Sequence, residues 1–186
     1  MKKTIWKCFF NYEKEEVWLN EMSAKGLALI DFFLCRYSFA DSVPGEFTYR
    51  IELLKHLPSH PESKRYIDFM IESGAEHVSS WHRWVYFRKK SEHGAFNIFS
   101  DIDSRISHYK RIRTLFLSVG IMEMLIGCGQ LPIIFDGYLS GKPLAWYLTN
   151  LIALVLCWGL GVAILFIWNS VRKKTRTLKQ EKNVWE

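Results

Sequence analysis

Two hydrophobic patterns divide this chain. Up to about residue 113, apolar positions alternate with polar ones or recur over short distances. Beyond that point lie two long apolar runs, 115–135 and 144–168, of twenty-one and twenty-five residues. At about 1.5 Å per helical residue they reach roughly 31 and 37 Å, against a hydrocarbon core of about 30 Å. The eight residues between them, 136–143, leave room only for a turn. The runs are therefore expected to form a transmembrane helical hairpin, with everything before them a domain held on that anchor.

Within the first part, residues 3–10 are rich in Ile, Trp and Phe and predict a strand. Asn11 suits a helix N-cap, Glu13, Glu15 and Glu16 suit the first turns, and Gly26 supplies a stop. These signals predict a helix over 12–25, with Trp18, Leu19 and Met22 as its apolar stripe. Residues 27–39 predict one long strand, followed by the turn signal Pro44-Gly45. Residues 46–54 alternate, with Phe47, Tyr49, Ile51 and Leu53 on one face, and read as an antiparallel partner. Ile67, Met70 and Ile71 keep helical spacing and predict a helix over 62–73, stopped at Gly74. Short strands at 77–80 and 84–90 flank a turn at 81–83. This order fits an α+β fold of the ferredoxin-like, split βαβ kind, its last strand expanded to a hairpin. The expected divisions are a ferredoxin-like cytoplasmic domain at 1–100, a juxtamembrane linker helix at 101–113, the transmembrane hairpin at 114–170 and a basic cytoplasmic tail at 171–186. In the linker, Ile102, Ile106, Tyr109 and Ile112 form an apolar edge suited to the domain or to the lipid interface.

Charge adds an orientation to this picture. Residues 1–100 hold fourteen Lys or Arg against thirteen Asp or Glu, so the basic excess lies elsewhere. Segment 101–113 carries a net +2 and segment 172–182 a net +5, both abutting apolar runs, whereas the loop between the runs has one Asp and one Lys. Positive-inside bias then places both termini in the cytoplasm of a multi-pass protein of the inner (plasma) membrane. A nearly neutral soluble domain gives no footprint for direct nucleic-acid binding. Cys8, Cys35, Cys128 and Cys157 have no Cys-x-x-Cys spacing and read as reduced.

No nucleophile, phosphate-binding or zinc-protease motif occurs, so neither catalysis nor a cofactor is expected. His56 and His60 have a metal-compatible spacing, but two prolines make this a loop and no third ligand is evident. An open sheet face would offer an aromatic and basic platform to a partner; Tyr37, Tyr49, Arg50, Trp81, Trp84, Tyr86 and Arg88 are its candidates. Inside the first apolar run, Glu123 and Gln130 lie seven residues apart on one helical face, where a carboxylate costs on the order of 3 kcal/mol unless neutralised or partnered. Cys157, Gly159, Gly161 and Ala163 offer small surfaces for close helix approach.

Four stretches together, EEVWLNEMSAKGL at 15–27, PGEFTYRI at 44–51, SWHRWVYFRK at 80–89 and YKRI at 109–112, resemble a bacterial family, the domain of unknown function numbered 2812. The likeness covers roughly 5–113, and none of its motifs is catalytic. Members are commonly encoded beside PadR-type transcriptional regulators, so the resemblance implies a regulatory or envelope-response role. The leading expectation is a membrane-anchored cytoplasmic regulatory or sensory protein that binds a protein partner, a PadR-like regulator being the one implied, with homo-oligomerisation open. The alternatives are an accessory subunit of a membrane transporter and a small-molecule-binding sensor domain.

Overall fold

The computed structural model describes residues 2–99 and 101–185, in two compact units, 1–101 and 102–186. The first unit holds β1 (Lys2–Trp6), α1 (Tyr12–Ala24), β2 (Leu27–Phe33), β3 (Arg36–Asp41), β4 (Phe47–Leu53), α2 (Pro61–Glu72), β5 (Glu76–Trp81) and β6 (Trp84–Lys90). Its strands form two antiparallel three-stranded sheets, β1-β3-β2 and β4-β6-β5.

Each sheet is one strand-helix-strand-strand unit with the same internal order, so the domain is a pair of βαββ repeats. The correspondence extends to detail. Gly26 and Gly74 take positive φ just after α1 and α2, and the register of the following strand shifts at Leu29/Asp31 in one repeat and at His77/Ser79 in the other. This replaces the single ferredoxin-like sheet expected from the sequence. The difference arises at Leu34 and Cys35, whose φ values of 38° and 64° make a tight hairpin turn. The expected long strand is thereby split into β2 and β3. Two-residue hairpin turns favour Asn and Gly, so Leu-Cys carried no turn signal.

A further correction concerns the cysteines: Cys8 and Cys35 form a disulfide that ties the end of β1 to this turn, while Cys128 and Cys157 are free. Trp18, Leu19, Leu29, Phe32, Tyr37, Phe39, Tyr49, Ile51 and Tyr86 make the main core, shared by α1 and both sheets. A smaller cluster, Leu54, Met70, Ala75, Val85, Phe87 and Phe96, lies under α2.

The second unit is two antiparallel helices, α3 (Ile102–Leu139) and α4 (Leu144–Trp185). Both are long and apolar enough to cross a membrane, and only 11% of each apolar window is buried, unlike the core helices of soluble domains. Glycines on α3 receive large side chains from α4. A Cβ at Gly127 would collide with Trp158 and one at Gly137 with Trp146, and one at Gly120 would meet Leu165 at 3.2 Å. Of the small residues on α4, Gly161 faces Met124 at 3.1 Å, whereas Gly159 faces open space. The linker and tail are continuous with α3 and α4. Ile106, Tyr109, Ile112, Thr175 and Leu178 are buried there, Lys174 Nζ stands 5.6 Å from the Tyr109 ring, and Lys182 bonds both oxygens of Asp103 at 2.8 and 2.9 Å. The hairpin thus continues past its apolar part as a paired helical stalk.

Candidate functional site

Helix α1 sits at the centre of the first unit because of its polar residues as much as its apolar ones. Glu16, Asn20 and Ser23 fall at i, i+4 and i+7, one stripe on a helix. β4 is an edge strand, and this stripe bonds its outward backbone groups at alternate residues. Ser23 Oγ donates to Phe47 O (2.6 Å) and accepts from Phe47 N (3.2 Å). Asn20 Oδ1 accepts from Tyr49 N (2.8 Å), its Nδ2 donates to Tyr49 O (3.3 Å), and Glu16 Oε1 accepts from Ile51 N (2.7 Å). Three side chains of a helix therefore do what a neighbouring strand would do, and the edge is closed to other chains.

The neighbouring Glu15 joins the two sheets. Its Oε1 accepts from the hydroxyls of Tyr37 on β3 and Tyr86 on β6, each at 2.7 Å, deep in the core. Burial pushes the Glu15 carboxyl above its ordinary value, against the two tyrosine bonds that favour the charged form. Glu16 is pushed up to about 7, again mainly by burial, with the Ile51 amide and Arg50 acting the other way. Both tyrosine hydroxyls are raised by burial and by the Glu15 charge. The open side of the first sheet is joined to the second by further side chains: Tyr49 Oη accepts from Leu29 N (2.8 Å), Arg88 Nη1 donates to Leu29 O (3.4 Å), and Ser79 Oγ lies 3.3 and 3.2 Å from Phe32 N and O.

The residues proposed from sequence as an exposed platform divide accordingly. Tyr37, Tyr49 and Tyr86 are interior, at 1%, 0% and 3% exposure, because both sheets turn these faces toward α1. Arg88 is held by Glu76 at 2.7 Å and lies over the Phe47 ring at 4.2 Å; Arg50 donates to Tyr49 O at 2.9 Å and stands 4.0 Å from Glu16. Trp81 and Trp84 remain half-buried at the end of the β5–β6 hairpin, Trp81 against Phe32 and Trp84 against Tyr12, with His82 exposed between them. In the second unit Glu123 and Gln130 are half-buried on the face of α3 that carries Gly120 and Gly127. On α4, Thr149 Oγ1 donates to carbonyls of its own helix, Ala145 O and Trp146 O.

The structure supplies the third ligand that His56 and His60 lacked in the sequence. Glu62 Oε2 is 3.2 Å from His56 Nε2, and one ligand atom of each residue lies within 4.8 Å of the others. The arrangement is organised for a different task. His60 Nδ1 accepts from Glu62 N (3.2 Å) and caps α2, which puts the proton of the neutral ring on Nε2. The two rings stack at 4.2 Å, so their lone pairs run side by side instead of converging. Buried Ser63 Oγ fixes the loop by donating to His56 O at 3.1 Å. The trio forms the corner that starts α2.

These features define a class: a small α+β domain of paired βαββ repeats followed by two helices suited to a membrane. A family model described as "Protein of unknown function (DUF2812)" matches residues 11–121, more than half of the chain, and the chain belongs to that family. No curated protein and no solved structure matches it. The match begins at the N-cap of α1, takes in its polar stripe and the whole second repeat, and ends within α3.

Proposed function

We propose that this is a membrane-anchored regulatory module that binds a protein partner at the cytoplasmic side of the plasma membrane and performs no chemistry of its own. The observation that carries the reading is the use of the interior acids. Glu15 and Glu16, two carboxyls whose proton affinity burial raises, each commit one oxygen to the scaffold: Glu15 Oε1 to two tyrosine hydroxyls and Glu16 Oε1 to a strand amide. They join α1 to strands of both sheets. The partner surface is the end of the β5–β6 hairpin, where Trp81 and Trp84 flank exposed His82, since aromatics of this kind anchor interfaces. The resemblance makes a PadR-type transcriptional regulator the partner to test.

Crosslinking of tagged full-length protein in its native membranes, followed by capture, tests this directly. A DNA-binding regulator should be recovered and should fall about tenfold with Trp81→Ala or with His82→Glu, a turn variant that leaves the core intact. Equal recovery with both variants places the contact elsewhere. Orientation is tested separately. Lys142→Cys, in the loop between α3 and α4, should react with an impermeant maleimide in intact cells. Failure to react there, with reaction only after permeabilisation, would reverse the topology; a domain outside the cytoplasm would accord with the Cys8–Cys35 bond, since disulfides persist in oxidising compartments. The half-buried Glu123 supports a second reading, an accessory subunit in a membrane complex. There Glu123→Gln should abolish recovery of an integral membrane partner while leaving the regulator's recovery unchanged.

A further inference from the structure

The outer face of the first sheet ends in an exposed apolar tip. Trp6, Arg36 and Phe33 pair across β1, β3 and β2 and so share one face, and Leu34 opens the turn beyond Phe33. Their neighbours on the opposite face, Ile5, Tyr37 and Phe32, belong to the core. Trp6 is 72% exposed, Phe33 54% and Leu34 53%; Phe10, two residues past the cysteine that links to the turn, is 70% exposed. Leu34 and Cys35 hold positive φ, a region that residues with a side chain rarely adopt. A leucine fixed there and left in water has no packing reason to be a leucine.

Charge selects the occupant. Lys2 and Lys3 are exposed along this strand, Lys7 just after it holds its Nζ 4.8 and 4.9 Å from the Phe9 and Trp18 rings, no acid occurs among residues 2–12, and Arg36, 5.9 Å from the Phe33 ring, pairs with exposed Asp31 at 3.5 Å. β1 is an edge strand, and lysines on an edge oppose the addition of another strand, which disfavours an extended peptide. Tryptophan with flanking lysines is instead the composition found at the boundary between headgroups and acyl chains, with rings at headgroup level and ammonium groups on phosphate. The chain also brings its own membrane: α3 starts one residue after the first unit ends, so the headgroups are at high effective concentration.

We infer that the tip formed by Trp6, Phe33 and Leu34, with Lys2 and Lys3 along the same edge strand as Trp6, docks on an anionic lipid surface. This rests on the reading that α3 and α4 span a bilayer, and the test separates the two. Full-length protein is placed in nanodiscs of phosphatidylcholine, alone or with about 30 mol% phosphatidylglycerol, each with a trace of lipid bearing a photoreactive group near the headgroup. Label is then mapped by mass spectrometry. Peptides containing residues 6, 10, 33 and 34 should be labelled about five to tenfold more in the anionic discs. Phe33→Ser with Leu34→Ser should remove that gain; both sites are exposed, and unchanged circular dichroism confirms the fold. Leu34→Ser alone should give an intermediate loss. Label on α3 and α4 with none on the tip in either disc overturns the docking and leaves the anchor standing. Absence of label on α3 and α4 overturns the anchor and the docking together. Equal tip labelling in both discs overturns the anionic selectivity, as does crosslinking of the tip to a protein in native membranes in place of lipid.

Discussion

The two βαββ repeats share a topology and differ in what their helices do. α1 lies between the sheets, with Glu15, Trp18, Leu19 and Ser23 buried, and bonds to strands of both repeats. α2 buries only Ser63 and Met70 and covers a satellite cluster. Yet α2 is the more cleanly amphipathic of the two in sequence, while the buried side of α1 is studded with polar residues. A polar residue at a helix position therefore does not mark that face as solvated when an unpaired strand edge lies opposite. Amphipathicity reports where water is only if every buried backbone group already has a backbone partner.

Four measurements would sharpen or break this contrast. Glu15→Ala strands two buried tyrosine hydroxyls and should cost about 4 kcal/mol in urea unfolding of the full chain; a loss under about 1 kcal/mol would mean that the sheets do not depend on this bridge. Glu16 gives a pH signature. Its folded value, about 7, lies above the ordinary 4.5, so the folded state binds this proton more tightly than the unfolded chain does. Stability from this group is full below pH 4.5 and is lost as pH rises to 7, a fall on the order of 3 kcal/mol. Glu16→Gln, which keeps an acceptor for Ile51 N, should flatten the profile of Tm between pH 5 and 8. An unchanged profile would assign the dependence elsewhere. Asn20→Ala frees both backbone groups of Tyr49 on the strand edge and should cost about 2 kcal/mol, with faster hydrogen exchange at the Tyr49 amide as its local mark. In α2 the corresponding polar contact is weaker: Ser63→Ala should cost about 1 kcal/mol, with faster exchange confined to the start of α2. If Ser63→Ala equals Asn20→Ala, the helices are not unequal partners.

Much of the outline was legible because its signals are local. Asn11 does cap α1, accepting from Glu13 N at 2.9 Å, and the helix runs Tyr12–Ala24 against an expected 12–25. α2 is similarly readable from the helical spacing of Ile67, Met70 and Ile71 and from Gly74, and the β5–β6 hairpin from two short strand segments around a turn at 81–83. What escaped depends on partners distant in sequence. The turn at Leu34 and Cys35 has no local signature. The positions of Tyr37, Tyr49 and Tyr86 follow from how two sheets face one helix, and hydroxyl groups tolerate the core only because Glu15 accepts from Tyr37 and Tyr86 and Leu29 N donates to Tyr49. Glu62 was missed beside His56 and His60 although it is close in sequence; the prolines suggested an open loop, whereas Pro61 is the first residue of α2 and turns Glu62 back toward the rings. The tryptophans of α4 pack on glycines of α3, positions that carry no local signal of their own.

The stripe that closes the β4 edge also bears on how such a domain could have arisen. Glu16, Asn20 and Ser23 belong to the first repeat, and the backbone they satisfy belongs to the second. Cut between residues 45 and 46, the first half would carry three polar side chains facing nothing, and the second an open strand. Had the pair begun as a duplication, the ancestral unit must have met a second copy of itself through this same helix-to-edge contact, as a symmetric dimer. The modern chain would then have kept one half of that exchange, and α2 would be the helix that gave up its hold.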